Sequence, residues 1–224
     1  VALVMQVFII LSQAIKVVSN SALPQLNRVS ANAVERQTFF AATIWKQSFY
    51  LGGIGFLLCY CLLVPVVTSL IGARFEAAAD MFARNSWLVI PLAIVHGLRL
   101  ILISNRMMRL FLLATMAGLL TLVTLIIFLH VTDKMGPSDL FAVLGLSYGV
   151  VAILMLVFVQ KRHNISVLPE FLLPLVLLTM TLVLFFNTGE KLSVAVGSMA
   201  LLVTASFVDL KLMYRRLING VSGR

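Results

Sequence analysis

The amino-acid sequence predicts an all-α, polytopic membrane bundle of about seven transmembrane helices, with the N-terminus outside and the C-terminus cytoplasmic. Three observations lead there. First, 61% of the 224 residues are hydrophobic, only 11% are charged and the mean hydropathy is +1.08, so the chain carries more apolar surface than one soluble domain buries. Second, long uncharged runs separate the charges, at 47–73, 110–132, 140–160, 171–189 and 192–208. About 20 apolar residues at about 1.5 Å rise cross a hydrocarbon layer about 30 Å thick. Third, these runs lack the alternation of a barrel strand. Backbone groups in lipid must then find partners within their own segment, which leaves helices.

The first span, 1–20, is apolar apart from Lys16. It opens on Val1 with neither an initiator Met nor the basic start of a signal peptide, so the sequence is read as a piece of a longer chain. Residues 21–47 are amphipathic, with Phe39, Phe40 and Trp45 spaced to lie at the membrane interface ahead of Lys46. This predicts a short interfacial helix running into the second span, 48–71. The third span, 86–103, contains a single cation, Arg99; spans four to seven, at 110–131, 140–160, 171–187 and 192–208, contain none. Small residues at helical spacing mark expected helix contacts: Gly52, Gly53 and Gly55, Ala114 with Gly118, Gly145 with Gly149, and Ser193 with Gly197. Pro65, Pro91 and Pro174 fall inside spans, where a missing N–H permits a kink.

Charge sorting sets the orientation. One set of loops and ends holds 11 basic residues, from Arg28 to Arg224, against Glu35, Glu170 and Asp209; the other holds Arg74, Arg84, Lys134 and Lys191 against five acids. Basic residues are retained on the cytoplasmic side, so the first set is cytoplasmic. The same sorting accounts for the net charge of +9 through anionic membrane lipids beside the helix ends, and no nucleic-acid partner is expected.

The chain offers little reaction chemistry. Cys59 and Cys61 point to different faces of one span, and His96, His130 and His163 lie in separate segments with no ligand-spaced neighbours, so neither a metal site nor a cofactor is expected. No nucleophile has a His and an acid at hand, and no glycine-rich loop opens a helix, so the chain is not read as an enzyme. A transporter, a receptor or a structural protein remains. Lys16 and Arg99 are the two cations within spans, where charge is costly enough to point to function, although each is near enough to a cytoplasmic end to snorkel. His96 lies about one turn before Arg99, as packing or as part of a cation cluster. Gln6 and Gln13, seven apart, share a stripe with Lys16, and Ser12 adds to the polarity of that helix. A polar stripe in a bundle faces the interior, so Lys16, Gln13, Gln6, Arg99 and His96 are the candidate cavity residues.

The order of short motifs adds a resemblance. ALPQLNRVSAN at 22–32 contains a P-x-L-x-R segment, and LIGARFEAAAD within 64–82 an L-x-G-x-x-F-x-x-A turn. ISNRMMR at 103–109 and KMGPSDLFAVLGLSYGVVAILMLVFVQKR at 134–162 follow, the DKMGPSD loop standing where a short glycine turn is usual. Over residues 10–162 this resembles the second half of a polysaccharide flippase of the multidrug/oligosaccharidyl-lipid/polysaccharide exporter superfamily. The resemblance implies a C-terminal lobe of five helices at 1–162, two additional helices and a basic tail at 163–224, and a missing N-terminal lobe as partner. It further implies movement of an undecaprenyl-diphosphate-linked oligosaccharide across the bacterial inner (cytoplasmic) membrane by alternating access, with Lys16 set against the diphosphate. A multidrug (MATE-type) or cation exporter is the nearest rival, though the intramembrane charges here are cations rather than acids. A seven-helix receptor shares the topology but not its usual motifs, and a polysaccharide polymerase or ligase calls for a longer external loop.

Overall fold

The computed structural model describes residues 2–21, 34–60, 69, 72, 75–132, 136–163, 197–209 and 211, and every regular element among them is helical. In chain order these are α1 (Ala2–Ser21), α2 (Val34–Leu58), α3 (Glu76–Asn85), a 3₁₀ turn (Ser86–Leu88), α4 (Val89–Ser104), α5 (Met108–Val131), α6 (Pro137–His163) and α7 (Gly197–Asp209). Three stretches are long and apolar enough to cross a membrane, Glu76–Ser104, Met108–Val131 and Asp139–Lys161. They fall on the third, fourth and fifth expected spans, and the protein is an all-helical membrane protein. α1 covers the first expected span and α7 most of the seventh, with shorter apolar cores at Phe8–Val17 and Gly197–Asp209. The second is helical through residue 60, its last two residues widened to a π turn. The sixth span lies outside the described residues, as do Pro65, Pro174, Cys61 and Ser193.

Residues 34–58 form one helix, so the expected interfacial segment and the start of the second span are continuous. Trp45 does not face the headgroups. It is buried, edge-on to Phe49 at 6.0 Å between centroids, in a core with Leu98, Ile101 and Met155. Pro91 is the third residue of α4, inside the continuous apolar stretch Glu76–Ser104, where it donates no N–H and its ring crowds the preceding turn. The break lies just before it, at the 3₁₀ turn, where buried Asn85 donates to the Met81 carbonyl (2.8 Å) and buried Ser86 to that of Ala83 (2.8 Å).

α4 is the hub, packed on α2, α6 and α1. Lipid tails are as apolar as leucine, so helices in a membrane associate by close fit rather than by the hydrophobic effect, and small residues decide where. A Cβ at Gly52 would lie 3.0 Å from Ile90 Cα; one at Gly55 would meet Val89 at 2.8 Å; and one at Gly97 would collide with Ser48. These pairs run α2 antiparallel to α4. Ala114 and Gly118 are the buried residues of α5, with Gly118 against Ser147 and Val151 of α6, while Gly145 of α6 accepts the Trp87 ring. A Cβ at Gly149 or Gly197 would meet nothing within 4 Å among the described residues, so of the GxxxG pair in α6 it is Gly145 that shows a close approach. Only 11% of the α5 membrane window is buried against 61% for Glu76–Ser104, and its large side chains, among them Leu113, Leu120 and Phe128, are exposed.

α7 returns to α2. Leu202 and Met199 cluster with Phe56 and Leu57, and Asp209 accepts a 3.2 Å hydrogen bond from the buried Tyr50 hydroxyl, which runs α7 antiparallel to α2. Between them Gln47 and Ser206 bond reciprocally, the amide to the Ser206 carbonyl (3.0 Å) and the hydroxyl to the amide oxygen. Among the described residues two have positive φ. Gly72, in the L-x-G-x-x-F turn, has φ +91° and its carbonyl accepts from Phe75. Arg106 has φ 58°, considered below.

Candidate functional site

The five candidate residues fall on two helices that run side by side, and the packing of each follows from its periodicity. α1 buries Phe8 and Ile15, two turns apart, and leaves Gln6 and Gln13 exposed on another face. Ser12 and Lys16, one turn apart, are half-buried between these faces. On α4 the facing stripe reads Leu88, Leu92, His96 and Arg99, at helical spacing. The two stripes meet at Ser12 Oγ and His96 Nε2, 3.3 Å apart. Phe8 anchors the other end, with its ring centroid 5.1 Å from Phe82 and 5.7 Å from Phe141. Sequence numbers rise together along both helices, so α1 and α4 are parallel, and α6, with Phe141 at Phe8 and Gly145 at Trp87, is parallel to them.

The three helices enclose a half-open cleft of about 310 Å³, lined by Phe8, Ile9, Ser12 and Gln13 of α1, Leu88 and Leu92 of the α4 segment, and Leu144 and Tyr148 of α6. Its composition is graded. Phe8, Leu88, Leu92 and Leu144 make one end apolar; Ser12, Gln13 and Tyr148 give it polar edges, with His96 behind Ser12. Of the five candidates, Gln13 lines the cleft and His96 bonds Ser12 on its wall; Lys16, Arg99 and Gln6 are not among its lining residues, and Gln6 is exposed.

Arg99 is unevenly provided for. Its guanidinium carbon lies 5.8 Å from the centre of the Phe111 ring, a cation–π arrangement with α5. Its Nε is buried without a hydrogen-bond partner among the described residues. Leaving such a donor unsatisfied costs about 1–3 kcal/mol. The recorded ion pair, Arg84 with Asp80 at 2.8 Å, is exposed on α3 and far from the cleft. Neither Lys16 nor Arg99 has a carboxylate partner among the described residues. No three His, Cys, Asp or Glu side chains converge on a metal-binding point among the described residues.

Two features escaped the sequence reading. Tyr148 lines the cleft from α6, and the periodicity of that helix, apolar all round, gives no sign of which side Tyr148 takes. The Tyr50–Asp209 and Gln47–Ser206 contacts between α2 and α7 were signalled only by polar side chains at the ends of apolar runs. Comparison of the chain with protein-family models finds no match, and neither do comparisons with curated proteins and with solved structures.

Proposed function

We propose that this chain is the C-terminal part of a multi-pass transporter of the bacterial inner membrane that moves a lipid-linked (undecaprenyl-diphosphate) oligosaccharide between leaflets by alternating access, without altering it covalently. The observation that carries this reading is the Ser12–His96 contact, which packs the two cation-bearing helices α1 and α4 side by side next to a cleft that Ser12 and Gln13 edge. A diphosphate taken out of water needs cationic donors around it, and a lysine and an arginine without carboxylate partners supply them. The motif order summarised above supports the transporter class, and the half-open cleft accords with a site completed by a second lobe. In this reading the chain crosses the membrane seven times from an external N-terminus, and the parallel course of α1, α4 and α6 against α2 and α5 supports it.

The test is export of glycan in a complementation assay with the full-length protein. Lys16→Ala is expected to abolish export at near-normal abundance, and Lys16→Arg to retain part of it, because charge survives while the point-like ammonium does not. Lys16→Gln separates the readings: near-silent if Lys16 only snorkels, inactive if it binds the anion. Normal export from Lys16→Ala at wild-type abundance overturns the assignment.

A further inference from the structure

The cleft has one end that can move. We propose that α3 is a lid, hinged on the Ser86–Leu88 turn, which closes the Phe8 end of the space between α1, α4 and α6. Length gives the first reason. The apolar stretch Glu76–Ser104 has 29 residues where about 20 cross a hydrocarbon layer, so the ten residues of α3 are surplus to the crossing. α3 is accordingly two-faced: Ala79, Phe82 and Asn85 are buried, while Glu76, Asp80 and Arg84 are exposed. The buried face covers the end of the cleft. Phe82 rests on Phe8 with 5.1 Å between ring centroids, and Phe8 on Phe141 at 5.7 Å, so rings from three helices shut this end. Apolar contacts are non-directional and part without leaving a polar group unpaired.

The turn is built to bend. A short 3₁₀ stretch within a longer helix often marks a hinge. A bend in apolar surroundings strips carbonyls of their donors, and here side chains supply them: Asn85 donates to the Met81 carbonyl and Ser86 to that of Ala83, both at 2.8 Å. These donors and acceptors all lie between residues 81 and 86, so they travel with α3 and survive the motion. On the α4 side Pro91 has no N–H for the Trp87 carbonyl four residues back, which removes a tie across the turn. Trp87 supplies the fixed point. Its ring fills the space over Gly145 of α6, where a Cβ would collide with it, and packs on the cluster of Tyr50, Phe56 and Leu57. The motion is local to this chain, distinct from the rocking of one lobe against another, and it rests on the cleft alone, whichever molecule the protein moves.

The full-length protein in detergent, with Cys59→Ala, Cys61→Ala and one reporter cysteine, provides the test. A water-soluble methanethiosulfonate then reaches both ends of the bundle, so the outcome does not depend on its orientation. Leu144→Cys reports from the cleft wall, and Met155→Cys, fully buried in the core with Trp45, is the control. Phe82→Ala is expected to raise the labelling rate of Leu144→Cys at least about tenfold and to leave that of Met155→Cys unchanged. Pro91→Ala restores the tie across the turn and is expected to lower the Leu144→Cys rate about threefold. The opposite signs separate a hinge from general loosening, which speeds every site. Spin labels on Ala77→Cys of α3 and Ile153→Cys of α6, both exposed, read the motion directly. A second, longer distance is expected, gaining population with Phe82→Ala and losing it with Pro91→Ala. A Leu144→Cys rate that Phe82→Ala leaves unchanged, a Met155→Cys rate that rises with it, or one unvarying spin–spin distance in all three proteins overturns the lid.

Discussion

Arg106 shows how far a single backbone conformation is set by its neighbours. It ends α4 with φ 58°, its N–H bonding the Ile103 carbonyl (3.0 Å) while that of Met107 bonds Leu102 (2.8 Å). This is the Schellman arrangement, in which the residue after the cap takes the left-handed conformation that glycine adopts freely and an L side chain adopts at a cost of about 1–2 kcal/mol. Met107 then packs on the core that holds Trp45 and Phe49, which fixes the turn. Arg106→Gly is expected to stabilise the protein by about 0.5–1 kcal/mol, less than the full strain because glycine also frees the unfolded chain. Unfolding in mixed micelles measures it, and a loss of stability would show that the arginine side chain, exposed here, makes a contact worth more than the strain. No periodicity in ISNRMMR announces a left-handed arginine. By contrast Lys16, His96 and Arg99 were legible in the sequence, because charge and imidazole inside apolar runs are conspicuous whatever the packing.

Between elements, the helices were legible and their contacts only partly so. Composition and run length place α4, α5 and α6 within a few residues, since a hydrocarbon layer sets their length. A small residue shows that a neighbour can approach, not that one does; Gly97, unremarked in the sequence, makes the tightest approach, while Gly149 makes none. Ser48, opposite Gly97, is buried and already bonded to the Ile44 carbonyl (2.8 Å), so it has nowhere to turn. Gly97→Leu is expected to force α2 from α4 and cost about 1–3 kcal/mol, with Gly97→Ala smaller in effect. Thermal unfolding of the two variants checks the order. The α2–α7 contact makes a second prediction. A double-mutant cycle of Tyr50→Phe and Asp209→Asn is expected to give a coupling of about 0.6–1.7 kcal/mol, the range for hydrogen bonds between membrane helices, and additive effects would mean the bond contributes nothing.

For the molecule as a whole, packing directions and charge sorting bear on the proposed topology by separate routes. α1, α4 and α6 run parallel by their contacts, while α2 and α5 run the other way. That alternation is what successive crossings produce, yet contacts alone do not say which end is outside. The proposed orientation rests on the loop charges: Arg106, Arg109 and Lys161 follow or flank one set of helix ends, while Asp80 with Arg84 and Asp139 belong to the other. Single cysteines introduced into a Cys59→Ala, Cys61→Ala background of the full-length protein test the result. A cysteine at Ala77, on the exposed side of α3, or at Pro137, at the start of α6, is expected to react with an impermeant thiol reagent added to intact cells. One at Asn32, between Arg28 and Arg36, which the proposed topology puts in the cytoplasm, is expected to react only after permeabilisation. Cys59 is 1% exposed, so its replacement removes a thiol that the reagent does not reach and alters little else. Labelling of Asn32→Cys from outside together with protection of the other two would invert the bundle. Lys16 and Arg99 would then lie toward the external leaflet, on the side to which the proposed transport delivers its substrate, and neither could take up a substrate from the cytoplasmic side.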